Sequence, residues 1–214
     1  MIRERISFLL GPGGLKAASF FIVKAFVGIE VFRIICKTLD LTEMPVTPKT
    51  WRYVVLRSAE DLATLHTSTA GQLGEQAGSL SGLFKRSGIL HALVCDNKVV
   101  AQLNIETTPE CEIDDPRLYL TLRKDDAFLG YLYTWPEFRR QGAAQILVAA
   151  CECYMAGQGF TRLVSHVRAT NVPSLAAFRQ LNWAFSAWVT ARPSGATLSV
   201  LGLKRMGMAA TPRN

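Results

Sequence analysis

An aromatic strand that runs straight into Arg139-Arg140-Gln141-Gly142-Ala143-Ala144, and on into a long helix, constrains this chain more than any other feature. Gly130-Tyr131-Leu132-Tyr133-Thr134 is rich in aromatic residues and is stopped by Trp135-Pro136, which is how a strand and its end are composed. Residues 143–156 then carry Ile146, Leu147, Ala150, Cys153 and Tyr154 at helical spacing, ahead of Gly157 and Gly159, which stop a helix. Such a junction aims unpaired backbone N–H groups and the positive end of a helix dipole at one point, where a pyrophosphate is favoured. Gly142 lacks a Cβ, so a phosphate oxygen can approach its backbone, and Ala143 and Ala144 keep the helix entrance small.

A strand over residues 162–167 follows, and Asn171-Val172-Pro173-Ser174 opens a second helix with Pro173 in its first turn. The whole succession is a hydrophobic strand, x-Pro-x-aromatic, [Q/R]-x-x-G-x-[G/A], a helix, a strand and N-x-x-[A/S]. It resembles the GCN5-related N-acetyltransferase (GNAT) superfamily across its acyl-CoA-binding half. The resemblance implies a mixed α/β fold with a mostly antiparallel central sheet flanked by helices, here preceded by an N-terminal helical extension. It also implies direct transfer of an acetyl group from acetyl-CoA to an amine, with no metal.

Carried over residue by residue, the resemblance assigns the backbone of Leu132, Tyr133 and Thr134 to the pantetheine arm, a ligand form of strand addition. It assigns Arg140, Gln141, Gly142, Ala143, Ala144 and Gln145 to the pyrophosphate. Arg139 stands at the motif's Gln/Arg position, where it either touches the cofactor or pairs locally. Asn171 matches the family asparagine and is also a good helix cap. His166, in Ser165-His166-Val167-Arg168-Ala169-Thr170-Asn171, takes the place of the general-base glutamate of ribosomal-protein N-terminal acetyltransferases. An imidazole is a competent proton acceptor near neutral pH. Glu106, at the end of an expected central strand, is the alternative base or a solvated strand end, and His91 is a third choice. Phe178 departs from the pattern, because the family often has a tyrosine there as general acid for the thiolate. Tyr133 or a water would then supply the proton.

The chain of 214 residues, with 49% hydrophobic residues, can bury one substantial core beside an extension. The expected layout is an apolar, basic helical extension at 1–41, a linker at 42–50, the acyltransferase domain at 51–206 and a tail at 207–214. A net charge of +7 suits a polyanionic cofactor, an anionic membrane surface or nucleic acid, and does not choose among them. No zinc-finger spacing or known nucleic-acid motif supports nucleic-acid binding. Five cysteines at positions 36, 95, 111, 151 and 153 make no disulfide framework, as expected of a cytoplasmic protein.

Residues 15–39 are apolar almost all round a helix, interrupted by Lys16, Lys24, Glu30, Arg33 and Lys37. No stretch is long and uncharged enough to span a bilayer, and Gly11-Pro12-Gly13-Gly14 breaks up a signal-peptide pattern. Two readings remain. The helix packs on its own domain or in a homodimer, the favoured reading, or it lies on the inner face of the membrane as a peripheral anchor. The resemblance of this extension to those of relatives in envelope polysaccharide synthesis implies a small-molecule amine acceptor, such as an amino sugar. The segment around His166 implies a peptide α-amine instead.

Further expectations concern the remaining elements. A strand is expected at 51–56, then a helical region at 59–86 broken at Gly71, Gly74, Gly78 and Gly82. A hairpin at 89–95 and 98–106 turns on Asp96-Asn97. A second hairpin pairs 118–122 with 128–134, and strands at 184–190 and 197–203 complete the sheet around Pro193-Ser194-Gly195.

Overall fold

The structure is a computed structural model describing residues 20, 22, 24–41, 43–76, 79–113, 118–192 and 196–212. Its strands are β1 (Glu30–Thr38), β2 (Arg52–Leu56), β3 (Ile89–Cys95), β4 (Lys98–Glu106), β5 (Glu110–Ile113) and β6 (Leu118–Thr121). These are followed by β7 (Asp126–Thr134), β8 (Arg162–Arg168), β9 (Ala184–Ala191), β10 (Thr197–Leu201) and β11 (Ala209–Pro212). The helices are α1 (Ala59–Ala63), α2 (Thr67–Gln76), α3 (Leu80–Lys85), α4 (Ala143–Gly157) and α5 (Val172–Gln180). Two compact units share the chain, one from Lys37–Pro109 and Lys124–Val164, the other from the residues up to Cys36, Glu110–Arg123 and the residues from Ser165 on.

In the first unit β7, β4, β3 and β2 pair antiparallel in that order. The β3–β4 hairpin forms where its turn residues require it: Asp96 and Asn97 have φ of 45° and 63°, the left-handed pair of a type I′ turn. Cross-strand partners share a face, so Leu56, Leu90 and Asn104 align, as do Val54, Ala92, Gln102 and Tyr133. On that face Leu73 of α2 and Leu83 of α3 close a core with Val54, Leu56, Leu90, Ala92, Val94, Val99 and Trp135. Helix α4 covers the opposite face, where the Tyr154 ring meets His91 edge-on at 5.1 Å.

The helical region expected at 59–86 does break into pieces, but not at Gly71, Gly74 or Gly82. Gly71, Gly74 and Gly82 lie inside α2 and α3. Serines cap two of the three helices: Ser58 Oγ accepts from Asp61 N–H at 3.2 Å at the start of α1, and Ser79 Oγ from Gly82 N–H at 3.0 Å at the start of α3. A cap satisfies orphan N–H groups and outweighs the small helical cost of an exposed glycine. Gly78 lies outside the described residues.

In the second unit β10, β9 and β1 pair antiparallel. Two expectations are corrected here. Of the helix expected over 15–39, the described residues 20, 22 and 24–27 are helical, Gly28 ends the turn at φ 67°, and Glu30–Thr38 is strand β1. Residues 15–19, 21 and 23 lie outside the described set. Phe32, Ile34 and Ile35 of β1 are fully buried, and the register shift between Ile34 and Ile35 breaks the alternation that would tell strand from helix in the sequence. The expected tail also contains β11, which pairs with β6.

A third correction concerns β6, expected against β7. It pairs with β5 and β11 in a separate three-stranded sheet, and β7 pairs with β4. Leu118 and Leu120 alternate inward with Cys111 and Ile113, so the short strands bury a face of their own. The expected turn at 193–195 lies outside the described residues, but the strands beside it, β9 and β10, pair as expected.

Candidate functional site

Strand β7 ends at Thr134, and the Trp135 N–H donates to the Val100 carbonyl at 3.1 Å, which fixes the direction in which the chain leaves the sheet. A 3₁₀ turn over Pro136–Phe138 follows. Arg140 and Gly142 then take left-handed conformations with φ of 62° and 79°. Gly142 occupies the N-cap of α4 without any side-chain cap, and its carbonyl accepts from Ile146 N–H at 3.0 Å. The N–H groups of Ala143 and Ala144 therefore start a 15-residue helix with no intrahelical acceptor, and the first turn holds no acidic residue.

A cavity of about 200 Å³ opens at that point, lined by Thr134, Arg139, Arg140 and Gly142 together with Ala144 and Gln145. A Cβ built on Gly142 would meet nothing within 4 Å. The glycine is thus required by its positive φ, and the space in front of it is free for a ligand. Two cationic side chains and a helix N-terminus suit a pyrophosphate, so these residues fit the phosphate end of acetyl-CoA.

The two arginines differ. Arg139 folds back on the strand, its Nε donating to the Thr134 carbonyl at 3.2 Å and its guanidinium lying 5.8 Å from the Tyr133 ring centre. Of its two expected roles, local pairing is realised. Arg140 is exposed. The Gln141 side chain donates to the Glu137 carbonyl at 2.9 Å.

Strand β7 carries a feature that sequence reading missed. Gly130 opposes Asn104 and Tyr133 opposes Gln102, so Tyr131 and Leu132 together face Leu103 as a bulge, with Tyr131 at φ 51°. A left-handed aromatic residue is uncommon and costs about 1–2 kcal/mol. Such strain gathers at functional sites, and this one interrupts the ladder beside Leu132, Tyr133 and Thr134. A lone glycine inside a strand pattern, Gly130, was the available sign.

Among the candidate bases in the first unit, Glu106 is not the solvated strand end that was the other reading. It is 8% exposed, and Arg86 donates to its Oε1 at 3.2 Å. His91 is fully buried and meets the Tyr53 hydroxyl at 2.6 Å through Nδ1. Burial, with a smaller contribution from the Arg57 charge, pushes it down to about 3, so it stays neutral and accepts protons poorly. Burial likewise pushes the Tyr53 phenol up.

The second unit holds His166, Asn171 and Phe178. His166 lies on β8, partly buried, with the Phe32 ring edge-on at 5.6 Å. Asn171 caps α5, accepting from the Ser174 N–H at 3.3 Å. Phe178 is 3% exposed. Its carbonyl accepts from Trp183 N–H at 3.0 Å while the two rings stand 4.8 Å apart. With Asn182 at φ 59°, this is the helix-ending motif in which a hydrophobic contact closes the last turn. Among the described residues no cluster of His, Cys, Asp or Glu could hold a metal ion, and no helix is long and apolar enough to cross a membrane.

Residues 59–183 match the model of the acetyltransferase (GNAT) family. No curated protein matches the chain. Among solved structures, a GCN5-related N-acetyltransferase from Sphaerobacter thermophilus is similar at TM-score 0.54 and 13% identity, over 80% of this chain and 54% of that one. A GNAT-family protein from Novosphingobium aromaticivorans is similar at TM-score 0.50 and 17% identity, over 76% and 65%. A tandem GNAT protein from the clavulanic acid biosynthesis pathway is similar at TM-score 0.50 and 14% identity, over 85% and 59%. This chain spans less than two thirds of the length of each, and at these identities the likeness concerns the fold.

Proposed function

Since this chain belongs to the acetyltransferase (GNAT) family, we propose that it is an acyl-CoA-dependent N-acetyltransferase that moves the acetyl group of acetyl-CoA directly onto an amine. The observation that carries this reading is the uncapped start of α4 at Gly142, which opens onto a cavity lined by Thr134, Arg140, Gly142, Ala143 and Ala144. In the reaction the neutral amine nitrogen attacks the thioester carbonyl, a C–N bond forms, the C–S bond breaks and coenzyme A leaves as the thiolate. The amine's proton must be taken up and the thiolate can be protonated. We assign uptake to His166, on the resemblance around it and its partial exposure, and delivery to Tyr133 or water. The cradle orients the donor so that this encounter becomes effectively unimolecular.

For the acceptor we favour a small-molecule amine, an amino sugar or a membrane-proximal metabolite, with a peptide α-amine as the competing class. Phe178 favours a second reading, a noncatalytic module that binds coenzyme A, because a buried phenyl ring has no proton to give. Thiol detection across an acceptor library separates the two. Release of free thiol from acetyl-CoA only when a particular amine is supplied supports the enzyme. Tight acetyl-CoA binding without amine-dependent release supports the module. Absence of binding to acetyl-CoA overturns both.

A further inference from the structure

Outside the coenzyme A cradle, the second unit carries an unneutralised cationic face. Arg33 of β1 lies with its guanidinium 4.5 Å from the Trp188 ring centre and 5.4 Å from that of Phe185, and Arg179 of α5 approaches the same Phe185 ring at 5.0 Å. Two guanidiniums thus share one phenyl ring. Among the described residues neither has a carboxylate partner, and Arg33 Nε is buried without a hydrogen-bond acceptor. Burial and the neighbouring Arg179 charge both lower the Arg33 pKa, the mark of a cation held next to another cation. From Ser165 to Asn214 the sequence contains six arginines and lysines and not one Asp or Glu. Like charges brought together with no counter-charge leave a site for an anion.

The surroundings are apolar in a way that selects among anions. Trp188 pairs across the sheet with Arg33 on one side and with Leu201 on the other, so the three share a face, and Leu201 on the edge strand is 67% exposed. The Phe20 ring lies 6.1 Å from Trp188. In the short helical segment that leads into β1, Ile22, Phe26 and Val27 are 58%, 86% and 62% exposed. Large apolar and aromatic side chains beside stacked arginines match a phospholipid interface, where rings and aliphatic groups enter the acyl boundary and guanidiniums meet phosphate. A nucleic acid would leave the aliphatic residues in water.

We propose that this face, centred on Arg33, Arg179 and Phe185 and extended by Phe26 and Leu201, docks the protein peripherally on an anionic phospholipid surface. The full chain co-sediments with phosphatidylglycerol-rich vesicles and not with pure phosphatidylcholine vesicles, and added salt releases it. The double variant Arg33→Gln/Arg179→Gln weakens vesicle binding about thirtyfold, since each basic residue near such a surface contributes about five- to sixfold. Phe26→Ser/Leu201→Ser, at exposed positions that cannot impair folding through lost packing, weakens it independently. Both variants keep the wild-type affinity for acetyl-CoA in calorimetry. Failure of the wild type to bind anionic vesicles overturns the proposal, as does binding that both variants retain. Equal affinity for a duplex oligonucleotide in competition would identify a general polyanion surface instead. Concentration-dependent dimerisation abolished by Leu201→Ser, with vesicle binding absent, would assign the face to a second copy.

Discussion

The Tyr53 hydroxyl and His91 Nδ1 stand 2.6 Å apart beneath α4, with His91 fully buried and its Nε2 without a partner. The unfolded histidine titrates near 6.5, whereas burial holds the folded one to about 3. Between these values the unfolded chain binds a proton that the folded one does not. Stability is therefore intact above pH 6.5 and is lost as pH falls through this range to 3, by roughly 5 kcal/mol at most. In urea titrations at neutral and mildly acidic pH, Tyr53→Phe/His91→Leu should flatten this decline. A decline as steep as in the wild type would assign it to other groups.

Gly142 has φ of 79° and open space in front of its Cα. Gly142→Ala should cost about 1 kcal/mol of stability for the left-handed backbone and weaken acetyl-CoA binding only in part. Gly142→Asp should abolish binding while the protein stays folded, because a carboxylate then faces the pyrophosphate position. Calorimetry together with thermal melting checks both. Normal affinity in a folded Asp variant would remove this loop from donor binding.

Arg139 and Arg140 are adjacent but predict different outcomes. Arg140→Ala should raise the dissociation constant for coenzyme A about tenfold and reduce its salt dependence, as expected for loss of a charge-assisted contact. Arg139→Ala should act more on the melting temperature, because its side chain is bonded to Thr134 and stacked on Tyr133. The reverse ranking would mean that Arg139 swings out to the phosphates.

If His166 takes the amine's proton, His166→Ala should lower kcat by about 10²–10⁴-fold with an unchanged acetyl-CoA affinity and should remove the acidic limb of the pH–rate profile. Glu106→Gln keeps the shape and can still bond Arg86, so it should leave that limb in place. A lost limb in the Glu106 variant, with an intact one in the His166 variant, would exchange the two roles.

At Asn182, φ is 59° and the N–H donates to the Arg179 carbonyl at 3.0 Å. Asn182→Gly should be neutral or slightly stabilising, and Asn182→Val should cost about 1–2 kcal/mol. Thermal melts compare the two. Equal melting temperatures would show that the helix end does not depend on this conformation.

Wherever a few consecutive residues contain the whole cause, the sequence alone determined the outcome. Asp96-Asn97 dictated a left-handed turn and with it the β3–β4 hairpin. Asn171 with Pro173 dictated a helix start, and Gly142 ahead of two alanines dictated an uncapped one. The family pattern from Tyr131 to Trp183 likewise depends on local spacing. Tertiary structure decided the rest. Residues 30–38 lose their alternation at the register shift between Ile34 and Ile35, so only pairing with β9 makes them a strand. β6 chose β5 and β11 because pairing across the chain buries Leu118 and Leu120, information that no turn beside it holds. The bulge at Tyr131 exists only relative to the register of β4. His91 became a neutral core group through α4 packing over it, and Arg33 met Arg179 across more than a hundred residues of chain. Capping and turn geometry act within a few residues, whereas burial, register and charge pairing are set by neighbours that only the folded chain brings together.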